Sequence, residues 1–245
     1  MYRRFSVALA IAVVALTTGR MTARQALTAD DIIAKNLQAK GGLEKMRSVQ
    51  TLKQTGHVTI PNVGEATLTL YSKRPSKTRQ EMMVAGMTSI SAYDGQTGWA
   101  VSPIQGITTP MELTGSQLEP IKAQADFDGP LVDSKAKGYT IAYVGTELVD
   151  GKNAYHLKIT ALNKPVQHCY IDVTTNLEMK VVADLGGATG QFETDLSDYR
   201  DVDGLKMPFS VRSVAGGNEI GRLTVDKVEL NAPIDDAIFR MPKGH

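Results

Sequence analysis

Cysteine is nearly missing from this chain: Cys169 is the single one among 245 residues. One thiol excludes a disulfide framework, so the fold must be held by burial. A chain of this length can bury a sufficient core. Tryptophan also occurs once, as Trp99, and aromatic residues make up 6% of the sequence. Neither sign of charge dominates, with 27 basic and 26 acidic residues. The electrostatic footprint of a nucleic-acid-binding protein is therefore absent. Motifs that carry chemistry are absent too. There is no Gly-x-Ser-x-Gly elbow, no glycine-rich phosphate loop opening a helix and no His-Glu-x-x-His. A hydrolase would need a nucleophile held by a base, and the sequence offers no such pair. No catalytic residue, metal ligand or cofactor is expected. No repeat of about 20–50 residues and no second domain boundary is visible.

The apolar run that stands out is short. Residues 7–16 (VALAIAVVAL) come just after Tyr2-Arg3-Arg4. Ten residues are too few to span a bilayer and match a signal-peptide core. The expected mature chain begins between about Arg20 and Leu27, dividing the sequence into a signal peptide (1–26) and one exported domain (27–245). An uncleaved N-terminal anchor is the alternative. Removing residues 1–26 takes away Arg3, Arg4, Arg20 and Arg24 and no acid. That leaves 23 basic residues against 26 acidic ones, a net charge of about −3.

The exported domain reads as mostly β. A first helix is expected over residues 28–47, opened by Thr28 with Asp31 as a capping box and interrupted by Gly41-Gly42. Beyond it the apolar segments alternate. In residues 65–73, Ala66, Leu68 and Leu70 fall on one face and Thr67, Thr69 and Tyr71 on the other. Asp94-Gly95, Asp150-Gly151, Asp203-Gly204 and Gly216-Gly217-Asn218 punctuate the series as turns. About 10–12 strands are expected. Between residues 155–162 and 166–173, a three-residue loop places Leu157 opposite Ile171, Ile159 opposite Cys169 and His156 opposite Asp172. Leu157, Ile159, Cys169 and Ile171 then share the apolar face, and His156, His168 and Asp172 share a solvated one.

Residues 93–133 interrupt the strands. After the Asp94-Gly95 hairpin and Trp99, the reading is a loop containing Pro103 and Pro110. Next comes a short helix, capped by Ser116 and Glu119 and striped by Leu118, Ile121 and Ala125. A helix between two halves of a sheet must cover one face of that sheet. The segment of about 103–130 is therefore read as a lid, and the fold as a curved antiparallel sheet with helices over an apolar cavity. Candidate ligand-cavity and lid residues are Leu68, Leu70, Met82, Trp99, Leu118, Ile121, Leu157, Ile159 and Ile171. Met82, Met83, Met87 and Met111 gather near the lid, and flexible thioethers suit variable apolar ligands. His156, His168 and Asp172 read as surface polar groups, His57 as unpartnered and Cys169 as a small buried hydrophobe.

Five separated segments carry a family resemblance. They are AKNLQAKGGLEKMRSVQTLKQTG, YDGQTGW, QADFDGPLVD, SDYRDVDGLKMPF and VELNAPIDDAIFRMP. In this order, from about Ala29 to Pro242, they resemble the outer membrane lipoprotein-sorting proteins, which are similar to the LolA and LolB carriers. The resemblance implies an incomplete antiparallel β-barrel around an apolar cavity, with helices as a lid. It implies a soluble, monomeric periplasmic carrier of lipoprotein acyl chains or another lipid, served by inner- and outer-membrane protein partners. It also implies a basic residue near the lid, with Arg79 as a positional suggestion. The alternative is an envelope sensor or regulatory lipid-binding module acting through a protein partner.

Overall fold

The computed structural model describes residues 26–186 and 190–242; the expected signal peptide and its cleavage site lie outside the described residues. Thirteen antiparallel strands form a single curved, unclosed sheet. They are β1 (Thr51–Ile60), β2 (Gly64–Lys73), β3 (Lys77–Val84), β4 (Met87–Tyr93), β5 (Gly98–Ser102), β6 (Ile107–Leu113), β7 (Thr140–Val149), β8 (Lys152–Thr160), β9 (Gln167–Asp172), β10 (Glu178–Gly186), β11 (Gly190–Val202), β12 (Leu205–Ala215) and β13 (Asn218–Leu230). The spatial order runs β6-β5-β4-β3-β2-β1-β13-β12-β11-β10-β9-β8-β7. The chain therefore builds each half as a meander and joins the halves where β1 pairs with β13. Both β6 and β7 are left as free edges.

Three short helices accompany the sheet: α1 (Ala29–Ala39), α2 (Leu43–Ser48) and α3 (Leu118–Gln124). The expected capping box forms at Thr28, whose hydroxyl accepts from the Asp31 N–H while Asp31 accepts from the Thr28 N–H. Gly41 and Gly42 break the helical segment as read from sequence, with φ of 117° and 88°. A Cβ at Gly41 would lie 2.3 Å from the Gly204 carbonyl oxygen, so the chain can pass there only without a side chain. No helix among the described residues is long and apolar enough to cross a membrane.

Two sequence expectations need correction. The thirteenth strand is β6, in the stretch read as a lid loop. Pro110 hid it, since proline removes a ladder donor. Here β6 is an edge strand, and Pro110 sits where the β5–β6 register shifts, so no bond is lost. The second correction is a two-residue slip between β8 and β9. Leu157 faces Cys169, Ile159 faces Gln167 and His156 faces Tyr170, while Asp172 faces Ala154 and His168 faces Lys158. Residues 161–166 form a longer loop, and Leu162 is 87% exposed. Because the slip is even, every side chain keeps its face. Leu157, Ile159, Cys169 and Ile171 are indeed buried together.

Candidate functional site

Cross-strand partners lie on the same face of a sheet, so one face can be traced across the whole molecule. It runs through Leu68 and Met82, which face each other. It continues through Val58 and Leu223, Val211 and Leu196, and Thr194 and Val181, to Cys169 and Leu157. Both long ends of this face are covered. At the β7–β10 end, Ile32 and Ile33 of α1 pack with Leu131 on Leu157, Ile159, Cys169 and Ile171. At the β4–β5 end, α3 lies on Gly98. A Cβ there would come within 2.4 Å of Leu118 Cδ1 and 3.3 Å of Ile121 Cγ2, so the glycine sets how closely the helix approaches. Ile121 and Ala125 are buried by this contact, and Leu118 is half-buried.

Between the two covered ends lies a strip that the helices do not fill. Val58, Leu68, Leu70, Met82, Leu196, Val211 and Leu223 are all only partly buried. On the same face, where Leu52 pairs with Leu230, lies a pocket of about 180 Å³ below α2. Met46, Val49, Leu52, Phe127, Leu205, Met207, Pro208 and Leu230 form its apolar walls, with Lys40, Asp128 and Lys206 at its border. A larger hollow of about 750 Å³ beside Lys73 and residues 231–235 is wide open and has a mixed polar lining.

No protein-family model matches the sequence, and no curated protein matches it significantly. Solved structures do match over most of the chain. A DUF1329 family protein from Desulfovibrio piger has a TM-score of 0.60 at 14% identity, covering 85% of this chain and 95% of its own. A LolA superfamily protein from Nitrosomonas europaea has a TM-score of 0.58 at 15% identity, covering 88% and 98%. A putative outer membrane lipoprotein-sorting protein domain from Vibrio parahaemolyticus has 0.58 at 11%, covering 86% and 95%. The fold is LolA-like.

Within this LolA-like half-barrel, the segment after α3 is pinned by Arg74, a residue that sequence patterning does not single out. Arg74 Nη1 and Nη2 donate to the two carboxylate oxygens of Asp128, each at 2.6 Å. Its Nε donates to the Val49 carbonyl at 2.7 Å and Nη2 to that of Met46 at 3.1 Å. The guanidinium also lies 4.5 Å from the Phe127 ring centroid. Hydrogen bonding from Arg74 is the main cause holding the Asp128 carboxyl below the usual carboxylate range. Nearby, Lys137 Nζ bonds Asp126 at 2.5 Å and the Gly129 carbonyl at 2.8 Å. A single Lys-Arg-Pro in a strand-rich sequence gives little sign of this role, because its partner stands 54 residues away.

The sequence-derived candidates fall into three groups. Leu68, Leu70 and Met82 line the open strip, and Leu118 and Ile121 hold α3 to the sheet. Leu157, Ile159 and Ile171 lie on the same face but are sealed beneath α1 as core. Trp99 lies on the opposite face. Its Nε1 donates to the Phe239 carbonyl at 2.8 Å, and Arg79 stacks over its ring at 5.6 Å. Trp99 therefore anchors the C-terminal tail. Arg79, bonded to Glu81 and to the Ile238 carbonyl, belongs to that anchor and not to the lid. Of the four methionines, Met82 alone lines the strip; Met83, Met87 and Met111 are exposed. Ser116 makes no cap, because Gln117 is the N-cap residue and no side chain bonds there.

The histidines are more engaged than expected. His156 is buried, with Nδ1 on Glu147 and Nε2 2.6 Å from His168 Nδ1, and its ring stacks on Tyr170. Asp172 is buried too, accepting the N–H groups of Thr174 and Thr175. His57 pairs with Asp226 at 3.2 Å. Among the described residues, no three His, Cys, Asp or Glu side chains converge as a metal site. Burial pushes the Cys169 thiol pKa up, as suits a small hydrophobe.

Proposed function

We propose that this protein is an exported, periplasmic carrier that shelters an acyl chain, of a lipoprotein or another lipid, on the half-covered face of its sheet. The observation that carries this reading is the apolar strip from Leu68 and Met82 to Val211 and Leu196. A sheet core of ordinary design would bury those side chains, and burial of apolar area is the main driving force available to it. Here they stay partly open while both flanks are closed. The same face also carries a ready-made pocket at Phe127 and Leu230. A helix as short as α3 has no stability of its own and stays only by its contacts. It can therefore leave the sheet at modest cost, as loading and release require. No chemical step is part of this function, and the partners are proteins or membranes that donate and accept the lipid. Native mass spectrometry of protein purified from its own envelope tests the reading. A bound lipid released only on unfolding is expected. Ligand-free protein that also fails to bind a fluorescent fatty-acid probe overturns it.

A further inference from the structure

The two ends of the strands differ in chemistry. Among the described residues, five turns lie at one end, β1–β2, β3–β4, β5–β6, β8–β9 and β12–β13, with the paired ends of β10 and β11 beside them. On or close to them, six large aliphatic or thioether side chains face solvent. Val63, Met87, Ile104, Leu162, Leu185 and Ile220 are between 40% and 87% exposed. Residues 60–64, 83–87, 103–107 and 215–218 contain no Asp, Glu, Lys or Arg, and residues 161–166 contain only Lys164. The turns at the other end carry Arg74, Asp94, Asp150 and Asp203, with one exposed apolar residue, Leu148, beside Asp150, and the link between α1 and α2 meets the sheet there at Gly41 and Gly204.

Single exposed apolar residues are normal on soluble proteins. Six exposed apolar residues on or close to the turns of one rim form an ordered pattern that such scatter does not produce, even with Glu65, Asp184 and Glu219 as near neighbours of three of them. We propose that this rim docks on a lipid bilayer surface, with the six tips inserted at the headgroup–acyl boundary. Separate aliphatic tips on glycine- and asparagine-bearing turns suit a fluid interface, which closes around each one. A folded protein partner would instead favour one contiguous patch with a polar rim. The half-covered face opens toward this rim through Val58 and Leu223, two and five residues from the turns. Docking would thus set the apolar strip directly over the membrane. The rim itself is independent of what that strip carries.

Flotation with vesicles of phosphatidylethanolamine and phosphatidylglycerol tests the proposal on the purified protein. Wild-type protein is expected to float with the vesicles. Ile104→Asn and Leu162→Asn should each lower the bound fraction at limiting lipid by about threefold to tenfold, and the double variant by about the product. Both side chains are exposed, so the thermal midpoint should not move. Leu148→Asn, 73% exposed and at the other end of the strands, should bind as wild type. Leu162→Trp should show a blue-shifted emission when vesicles are added. Three outcomes overturn the proposal. One is the absence of wild-type binding, and another is an equal loss with Leu148→Asn. The third is a lipid-free dimer that the rim variants dissociate, without vesicle binding.

Discussion

Arg74 and Asp128 form a fork-to-fork ion pair, both contacts at 2.6 Å, that joins the β2–β3 turn to the segment just after α3. The two side chains are 19% and 14% exposed, so the pair is shielded without being sealed. Breaking it strands a charge next to the apolar pocket, which costs more than the pair contributes when intact. Asp128→Asn should therefore destabilise the protein by about 1–3 kcal/mol. It should also speed hydrogen exchange in residues 118–132 more than in the β-sheet. Arg74→Met, which keeps the packing on Phe127, should do the same. Equal protection of the segment in both variants would mean the pair is not a latch. The pair also has an acid limit. Asp128 has a folded-state pKa below its unfolded value of 3.8. Its stabilisation is present above that value and is lost as pH falls through the folded pKa.

The cover itself can be tested at Leu118 and Ile121. Ile121 is 5% exposed against the sheet at Gly98, so an aspartate there cannot remain charged in place. The seven residues of α3 should detach while the thirteen strands stay paired. Ile121→Asp is expected to weaken binding of a fluorescent fatty-acid probe by about tenfold or more, equivalent to about 1.4 kcal/mol. Leu118→Asp, at a half-buried position, should give a smaller loss. Far-ultraviolet circular dichroism should be nearly unchanged in both. Unaltered probe affinity in two folded variants would reduce α3 to static packing.

The Glu147–His156–His168 chain predicts a second pH dependence. Burial is the first cause lowering the His168 pKa below 6.5, and the adjacent His156 is the second. The unfolded chain therefore binds this proton more readily than the folded one. Stability should be complete above about pH 6.5 and fall as pH drops from there through the folded pKa. His168→Gln should flatten the thermal midpoint over that window and leave the acid limit set by Asp128 in place. An unchanged pH profile in the variant would assign the dependence to other groups.

Much of the architecture was legible in the linear chain. Period-two alternation assigned Leu68 and Leu70 to one face of their strand, and Leu157, Ile159, Cys169 and Ile171 to one face of their hairpin, because that alternation is a property of the extended backbone alone. The capping box at Thr28 and the break at Gly41-Gly42 were equally readable, since both are local. The Asp94-Gly95 turn was readable for the same reason, with Asp94 accepting from the N–H groups of Gln96 and Thr97.

The tertiary structure decided what depends on distance in sequence. Alternation cannot say which residues of a face will be sealed by a helix and which left open. Leu157 and Leu68 look alike in the chain, yet α1 seals the first while the second stays only partly buried. Nor does it fix a two-residue slip in register, since an even slip preserves every face and carries no hydrophobic penalty. Trp99 shows the same limit: its size suggested a ligand wall, but the tail brought the Phe239 carbonyl to the other side of the sheet. The latch on Asp128 and the apolar rim arise only when residues far apart in the chain meet. Local chemistry thus determined the strands, the turns and the faces, and long-range packing determined which face remained free to hold something.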